Sequence, residues 1–156
     1  MNKKSETQIQ RVIAAYGDLL YRSAYVLLAN PDDIQDVLQE VFLKYMDKAP
    51  AFQNEDHEKA WLIRVTVNLC KDFLRFNRRH AYVSLEQLDA PCEIREDHGI
   101  MKEVLSLPSK YKTVLLLYYI EGYRLKEISR ILGISESAVK KRLQRGKEAL
   151  KQKLTE

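Results

Sequence analysis

"YRLKEISRILGISESAVKKRLQRGKEALKQKL", residues 123–154, decides the fold. A short helix with Leu125, Ile128 and Leu132 on its inner side runs to Gly133, a residue suited to the left-handed position that ends helices. Ile134 is expected to bury in the turn and Ser135 to cap the next helix. Val139, Leu143, Leu150 and Leu154 make that helix's apolar stripe. At about 100° per residue, Ser137, Lys141, Gln144 and Arg145 fall on the opposite side, with Lys140 flanking. This is the layout of a helix-turn-helix, whose second helix enters the DNA major groove by its N-terminal polar residues. There Arg and Lys reach guanine edges or phosphates, and Gln can pair with adenine. A solvated surface helix can carry the same charge, but the preceding helix and the Gly-Ile-Ser turn favour the DNA-reading one.

Outward from this stretch, charge is sorted along the chain. Residues 1–80 hold 12 basic and 11 acidic side chains, residues 81–105 hold 2 and 6, and residues 106–156 hold 12 and 5. A mixed front, an acidic middle and a basic end result. The middle, "AYVSLEQLDAPCEIREDHG", lacks sustained apolar periodicity and contains Pro91 and Gly99, so it reads as a flexible linker. The division expected is 1–80, linker 81–105, and 106–156. At 156 residues the chain has room for two small cores.

Helix signals recur and strand signals are nearly absent, so the fold class is all-α. Residues 6–28 carry Ile9, Val12, Ile13, Tyr16, Leu19 and Leu20. In "NPDD", Asn30 can cap, Pro31 suits the first helical position, and Asp32 and Asp33 complement the helix dipole. That helix is expected to reach about Lys48. After the loop "APAFQNEDH" a long helix covers His57 to Arg79. Further helical segments are "GIMKEVLSL" and "SKYKTVLLLYYIEG".

The helix "HEKAWLIRVTVNLCKDFLRFNRR" carries a second basic feature. Arg64, Asn68, Lys71, Arg75 and Arg78 fall within a sector of about 80°, while Leu62, Ile63, Val65, Val67, Leu69, Cys70, Phe73, Leu74 and Phe76 take most of the remaining circumference. The helix is therefore expected to be buried on most sides, with one narrow cationic seam bordered by Trp61. A row of cations beside an aromatic ring suits single-stranded nucleic acid, because cations neutralise phosphate and rings stack on bases. Phe52, in the preceding loop, can add a second aromatic wall. The plain alternative makes Trp61 a core residue.

A third face suits protein. On "DDIQDVLQEVFLKYMD", Ile34, Leu38, Val41, Phe42 and Tyr45 form the inward stripe. Asp36, Gln39, Glu40 and Asp47 lie opposite, with Leu43 among them. An apolar side chain in a polar patch can mark a partner contact, although single exposed leucines are common.

Together, "DDIQDVLQEVFLKYM", "AWLIRVTVNLCKDFLR", the acidic linker and "LPSKYKTVLLLYYIEGYRLKEISRILGISESAVKKRLQRGKEALK" resemble the extracytoplasmic-function sigma factors of bacterial RNA polymerase. The likeness covers about residues 10–153, in the family's order and spacing. It implies a σ2 helical bundle and a σ4 helix-turn-helix joined by a flexible linker. Asp36, Gln39, Glu40 and Leu43 are then implied to meet the clamp helices of the largest polymerase subunit. The loop with Phe52 and Asn54 is implied to hold a flipped base of the −10 element, and Trp61, Arg64, Asn68, Lys71 and Arg75 to open and hold the strand. Ser137, Lys140, Lys141, Gln144 and Arg145 are implied to contact the −35 element. Implied partners are core RNA polymerase (clamp helices and flap), promoter DNA and an anti-sigma factor. The acidic linker is implied to thread toward the active-centre and RNA-exit channels.

Other classes fit less well. A stand-alone helix-turn-helix regulator explains the basic end but leaves the cationic seam and acidic linker without roles. For an enzyme there is no Gly-rich phosphate loop, HExxH or serine elbow. His57, His80 and His98 are scattered, and Cys70 and Cys92 stand alone, so no metal site, cofactor, disulfide or small-molecule substrate is expected. No apolar run is long enough to span a membrane, and "MNKKSETQIQ" has no apolar region behind its charges. A cytoplasmic protein is the expectation.

Overall fold

The computed structural model describes residues 6–79 and 101–155. Residues 81–100 of the expected linker lie outside the described residues, as does the side chain of Arg78. Every regular element among the described residues is helical. The chain forms two compact units, the first holding helices α1–α3 and the second α4–α7.

The first unit is a three-helix bundle of α1 (Glu6–Leu28), α2 (Pro31–Lys48) and α3 (Glu55–Arg79), each packed on the other two. The turn from α1 to α2 is set locally. Asn30 caps α2 as expected, its Oδ1 accepting the N–H groups of Asp32 at 2.9 Å and Asp33 at 3.3 Å. Pro31 occupies the first helical position, where no N–H is needed. Ala29, just before it, takes a left-handed φ of 59°. The core comprises Val12, Leu20 and Ala24 of α1, Ile34, Val41 and Tyr45 of α2, and Leu62, Ile63, Val67 and Cys70 of α3. Val37 is also buried, beyond the expected stripe, whereas Phe42 is only half-buried.

Phe76, expected on the buried circumference of α3, is 59% exposed. The reason is length: at about 1.5 Å per residue, the 25-residue α3 outruns the 18-residue α2, so its last turns have less to pack on.

In the second unit, α4 (Met101–Leu105) takes up the last residues of the expected linker and packs on α7. Helix α5 (Ser109–Leu115) continues into a π-helical turn, Leu116–Ile120. There the Glu121 N–H reaches back five residues to the Leu116 carbonyl at 3.0 Å, and the Tyr123 N–H bonds the Leu117 carbonyl at 2.9 Å. The wider turn leaves Leu116 and Leu117 in the core but presents Tyr118, Tyr119 and Ile120 to solvent. The apolar run "VLLLYYI" is therefore split between core and surface.

Helices α6 (Leu125–Leu132) and α7 (Glu136–Thr155) make the helix-turn-helix. The Glu127 carboxylate accepts the Arg124 N–H at 3.1 Å and starts α6. Gly133 ends it with φ 67° and ψ 35°, its N–H on the Ser129 carbonyl at 2.9 Å. The Ser129 hydroxyl then bonds the Ile134 carbonyl, fixing the turn, and Ser135 Oγ accepts the Ala138 N–H at 3.1 Å as the cap of α7.

Three expectations shift here. The core pair of α6 is Ile128 and Ile131, with Leu125 and Leu132 flanking half-buried. Ile134 is half-buried rather than enclosed. Val139, Leu143 and Gly146 seat α7, whereas Leu150 is half-buried and Leu154 is half-exposed. A 20-residue helix packed on elements of 5, 7 and 8 residues leaves its far end uncovered.

Candidate nucleic-acid interface

The outward face of α7 follows from how its inner face seats. A Cβ at Gly146 would lie 3.3 Å from both Leu115 Cδ1 and Tyr111 Cβ, so the missing side chain is what lets α7 lie this close to α5. With Val139, Leu143 and Gly146 turned inward, the helical repeat sends Ser137, Lys140, Lys141, Gln144 and Arg145 outward, and all five are exposed. They form one polar, cationic surface over the first three turns of the helix. Lys147 is engaged differently: its ammonium sits 5.2 Å from the centre of the Tyr119 ring, a cation–π contact to the π turn.

In the first unit, the loop before α3 is pinned by its own side chains. Asn54 Oδ1 accepts the His57 N–H at 2.8 Å, and the Asn54 carbonyl accepts the Glu58 N–H at 3.2 Å. Asn54 thus caps α3, and the helix begins at Glu55, two residues earlier than expected. His57 Nδ1 accepts the Gln53 N–H at 3.3 Å, and its ring stands edge-on to Phe52 at 5.3 Å. Phe52 meets Trp61 at 5.8 Å with the ring planes 64° apart, and both are half-buried. Trp61 is therefore neither a core residue nor a free surface ring; it forms a partly open aromatic pair with Phe52.

Beneath this pair lies Tyr45, fully buried. Its ring stacks on Phe52 at 6.1 Å and takes Trp61 edge-on at 6.1 Å. Its hydroxyl donates to Glu58 Oε2 at 2.6 Å, and Gln8 Nε2 donates to that hydroxyl at 3.4 Å. Glu58 is 5% exposed and receives Arg11 Nη2 at 3.0 and 3.3 Å on its two oxygens. Burial, then the bond to Glu58, pushes the Tyr45 hydroxyl up to about 12. The same carboxylate raises Arg11, chiefly through the hydrogen bond. Sequence reading misses this cluster: Glu58 looks like an ordinary first-turn acid complementing the helix dipole, and its partners lie 13 and 47 residues away.

From Trp61 the α3 face continues through Arg64, Asn68 and Arg75, all exposed, and Lys71, half-buried. Arg75 lies 3.8 Å from Asp72, with both side chains well exposed, a pair that water weakens and a phosphate can displace. On α2, Asp36, Gln39 and Glu40 are exposed, and Leu43 among them is 57% exposed. Cys70 is buried, and burial lifts its thiol to about 12, which makes it a core residue. Among the described residues no group of His, Cys, Asp and Glu side chains is placed to hold a metal ion, and no helix is long and apolar enough to cross a membrane.

Comparison with known proteins agrees with this geometry. Residues 12–80 match the family described as sigma-70 region 2, and residues 98–150 match sigma-70, region 4. The ECF RNA polymerase sigma factor SigW of Bacillus subtilis is 28% identical, across 99% of this chain and 92% of its own. SigV of the same organism is 29% identical over 99% and 97%, and its RNA polymerase sigma factor SigZ is 33% identical over 78% and 72%. The fold is shared with the sigma factor RpoE solved in complex with the anti-sigma factor NepR from Bartonella quintana, with a TM-score of 0.75 at 18% identity over 95% and 97% of the two chains. It is shared too with CnrH, solved with the cytosolic domain of CnrY, at a TM-score of 0.71 and 24% identity over 97% and 90%.

A region 2 bundle followed by a region 4 helix-turn-helix defines a transcription-initiation factor of the sigma-70 class. Within that class, the chain belongs to the extracytoplasmic-function RNA polymerase sigma factors, the alternative sigma factors that direct transcription.

Proposed function

We propose that the two units divide promoter recognition between them, and that the chain acts as a binding factor without catalytic activity of its own. Residues 1–80 dock on the clamp helices of the largest polymerase subunit through Asp36, Gln39, Glu40 and Leu43. The same unit captures an unpaired −10 strand with Phe52, Asn54, Trp61, Arg64, Asn68, Lys71 and Arg75. Residues 106–156 lie on the intact −35 duplex through Ser137, Lys140, Lys141, Gln144 and Arg145, and residues 81–105 tether the two. An anti-sigma factor that covers these faces, and a cytoplasmic location, belong to the same reading.

The observation that carries it is the partly open Phe52–Trp61 pair at the head of the α3 cation row. Base–aromatic stacking contributes roughly 1–3 kcal/mol per base, against roughly 1.4 kcal/mol per base-pair step for opening a duplex. One captured base therefore offsets about one to two steps. A duplex-reading regulator has no use for such a surface, and this disfavours a stand-alone helix-turn-helix role. Each phosphate contact is salt-sensitive, and tethering two units raises the effective concentration of the second once the first is bound.

The test is in vitro transcription with purified core polymerase on fragmented genomic DNA, followed by sequencing of transcript 5′ ends. Initiation at a defined set of sites, lost in Leu43→Glu, is expected. No defined start site in the presence of core polymerase would overturn the reading.

A further inference from the structure

The strand-capture surface has an anchor that none of its own residues supplies. Phe52 and Trp61 both rest on the ring of Tyr45, and the one polar atom of that fully buried side chain is held by Glu58 at 2.6 Å. Glu58 is in turn gripped on both oxygens by Arg11, whose side chain is half exposed on α1. The Arg11–Glu58–Tyr45 series thus runs from the outer surface of α1, through a buried carboxylate at the start of α3, to the underside of the aromatic pair.

A carboxylate in such a place is not needed for burial. Apolar side chains of similar size commonly serve a core as well or better. What hydrogen bonds add is direction: a tyrosine ring held at its hydroxyl has one setting, whereas a phenylalanine in the same cavity keeps only its packing. We infer that Arg11, Glu58 and Tyr45 are positioning residues for promoter opening, holding Phe52 and Trp61 at the spacing that receives an unpaired base. The inference rests on the strand-capture reading above. It gives α1 a part in opening, though α1 carries none of the residues assigned to DNA or polymerase.

The test uses Tyr45→Phe and Arg11→Gln in holoenzyme on a promoter defined by start-site sequencing, with Trp61→Ala alongside. Trp61 is the sole tryptophan of the chain, so its quenching by acrylamide in the free protein reports the aromatic pair directly. Both variants are expected to keep closed-complex affinity within about twofold and to slow opening about fivefold to tenfold, the scale of one lost hydrogen bond. Trp61 should become easier to quench at temperatures where the helical circular dichroism is unchanged. Should Tyr45→Phe fail to fold, Arg11→Gln carries the test, because Arg11 is half exposed. Opening rate and quenching both at wild-type values in the folded variants, while Trp61→Ala slows opening, would overturn the positioning role alone. Wild-type opening by Trp61→Ala would remove the strand-capture reading and this inference with it.

Discussion

Gly133 offers a sharp test of how the DNA-reading helix is aimed. Its φ of 67° and ψ of 35° are left-handed, and its N–H closes α6 on the Ser129 carbonyl at 2.9 Å. For a residue with a Cβ this conformation costs roughly 1–2 kcal/mol, and a β-branched side chain is strained further. Replacing glycine also removes freedom from the unfolded chain, which returns about 0.4–1 kcal/mol where the native conformation is tolerated; for valine it is not. Gly133→Val should therefore destabilise the second unit by about 1–2 kcal/mol. A domain of this size moves by about 4–8 °C per kcal/mol, so its melting should fall by about 5–15 °C. The assay is thermal melting followed in parallel by far-ultraviolet circular dichroism and by Trp61 fluorescence. Trp61 lies in the first unit, so its transition should stay in place while part of the dichroism melts early. Gly133→Asn, which tolerates the left-handed region, should recover most of the loss. A valine variant that melts with the wild type, or an asparagine variant that falls as far as valine, would refute the assignment.

Trp61→Ala should impair opening more than closed-complex formation, by about 5- to 100-fold if one stacked base is lost; equal losses in permanganate footprinting on duplex and pre-melted promoters would count against it. Arg145→Ala should weaken −35-dependent recruitment and reduce the salt slope by about one, and unchanged affinity at every salt concentration would refute that role. Tyr45 makes stability depend on alkaline pH: its folded value of about 12 lies above the ordinary 10. Its contribution is thus complete below pH 10 and disappears as pH rises through 12. Cys70, raised from 9 to about 12 by burial, adds to the same loss. Denaturant titrations from pH 8 to 12 should show a steeper fall in wild type than in Tyr45→Phe, and parallel curves would contradict the assignment.

What was legible in the sequence was local. Asn30 before Pro31, Gly133 after α6 and Ser135 before α7 each act through bonds to residues two to five positions away, so short stretches carry them. The exposed faces of α3 and α7 followed from periodicity, because a helix that seats one side must present the other. Contacts between distant elements stayed hidden. Glu58 shows only that an acid suits a helix start, and nothing near it points to Arg11 or Tyr45. Gly146 reads as a weak position in a helix until Leu115 and Tyr111 are seen 3.3 Å from where a Cβ would stand. Phe76 and Leu154 fit the apolar repeat of their helices, but how far a neighbour extends depends on its own length. The exchange of Ile131 for Leu132 in the core of α6 is a one-position error of helical phase, about 100°.

The π turn at Leu116–Ile120 has a consequence for tolerance to length change. A wide turn of this kind holds one residue more than the α-helix it interrupts. Deleting one residue there would let the chain relax into ordinary helix, but everything after it would be re-clocked by about 100° and drawn in by about 1.5 Å. Tyr118 and Tyr119 would swing toward the interior, and the start of α6 would no longer face its seat. A substitution on that turn is a surface edit; a deletion turns the phase of the whole reading head.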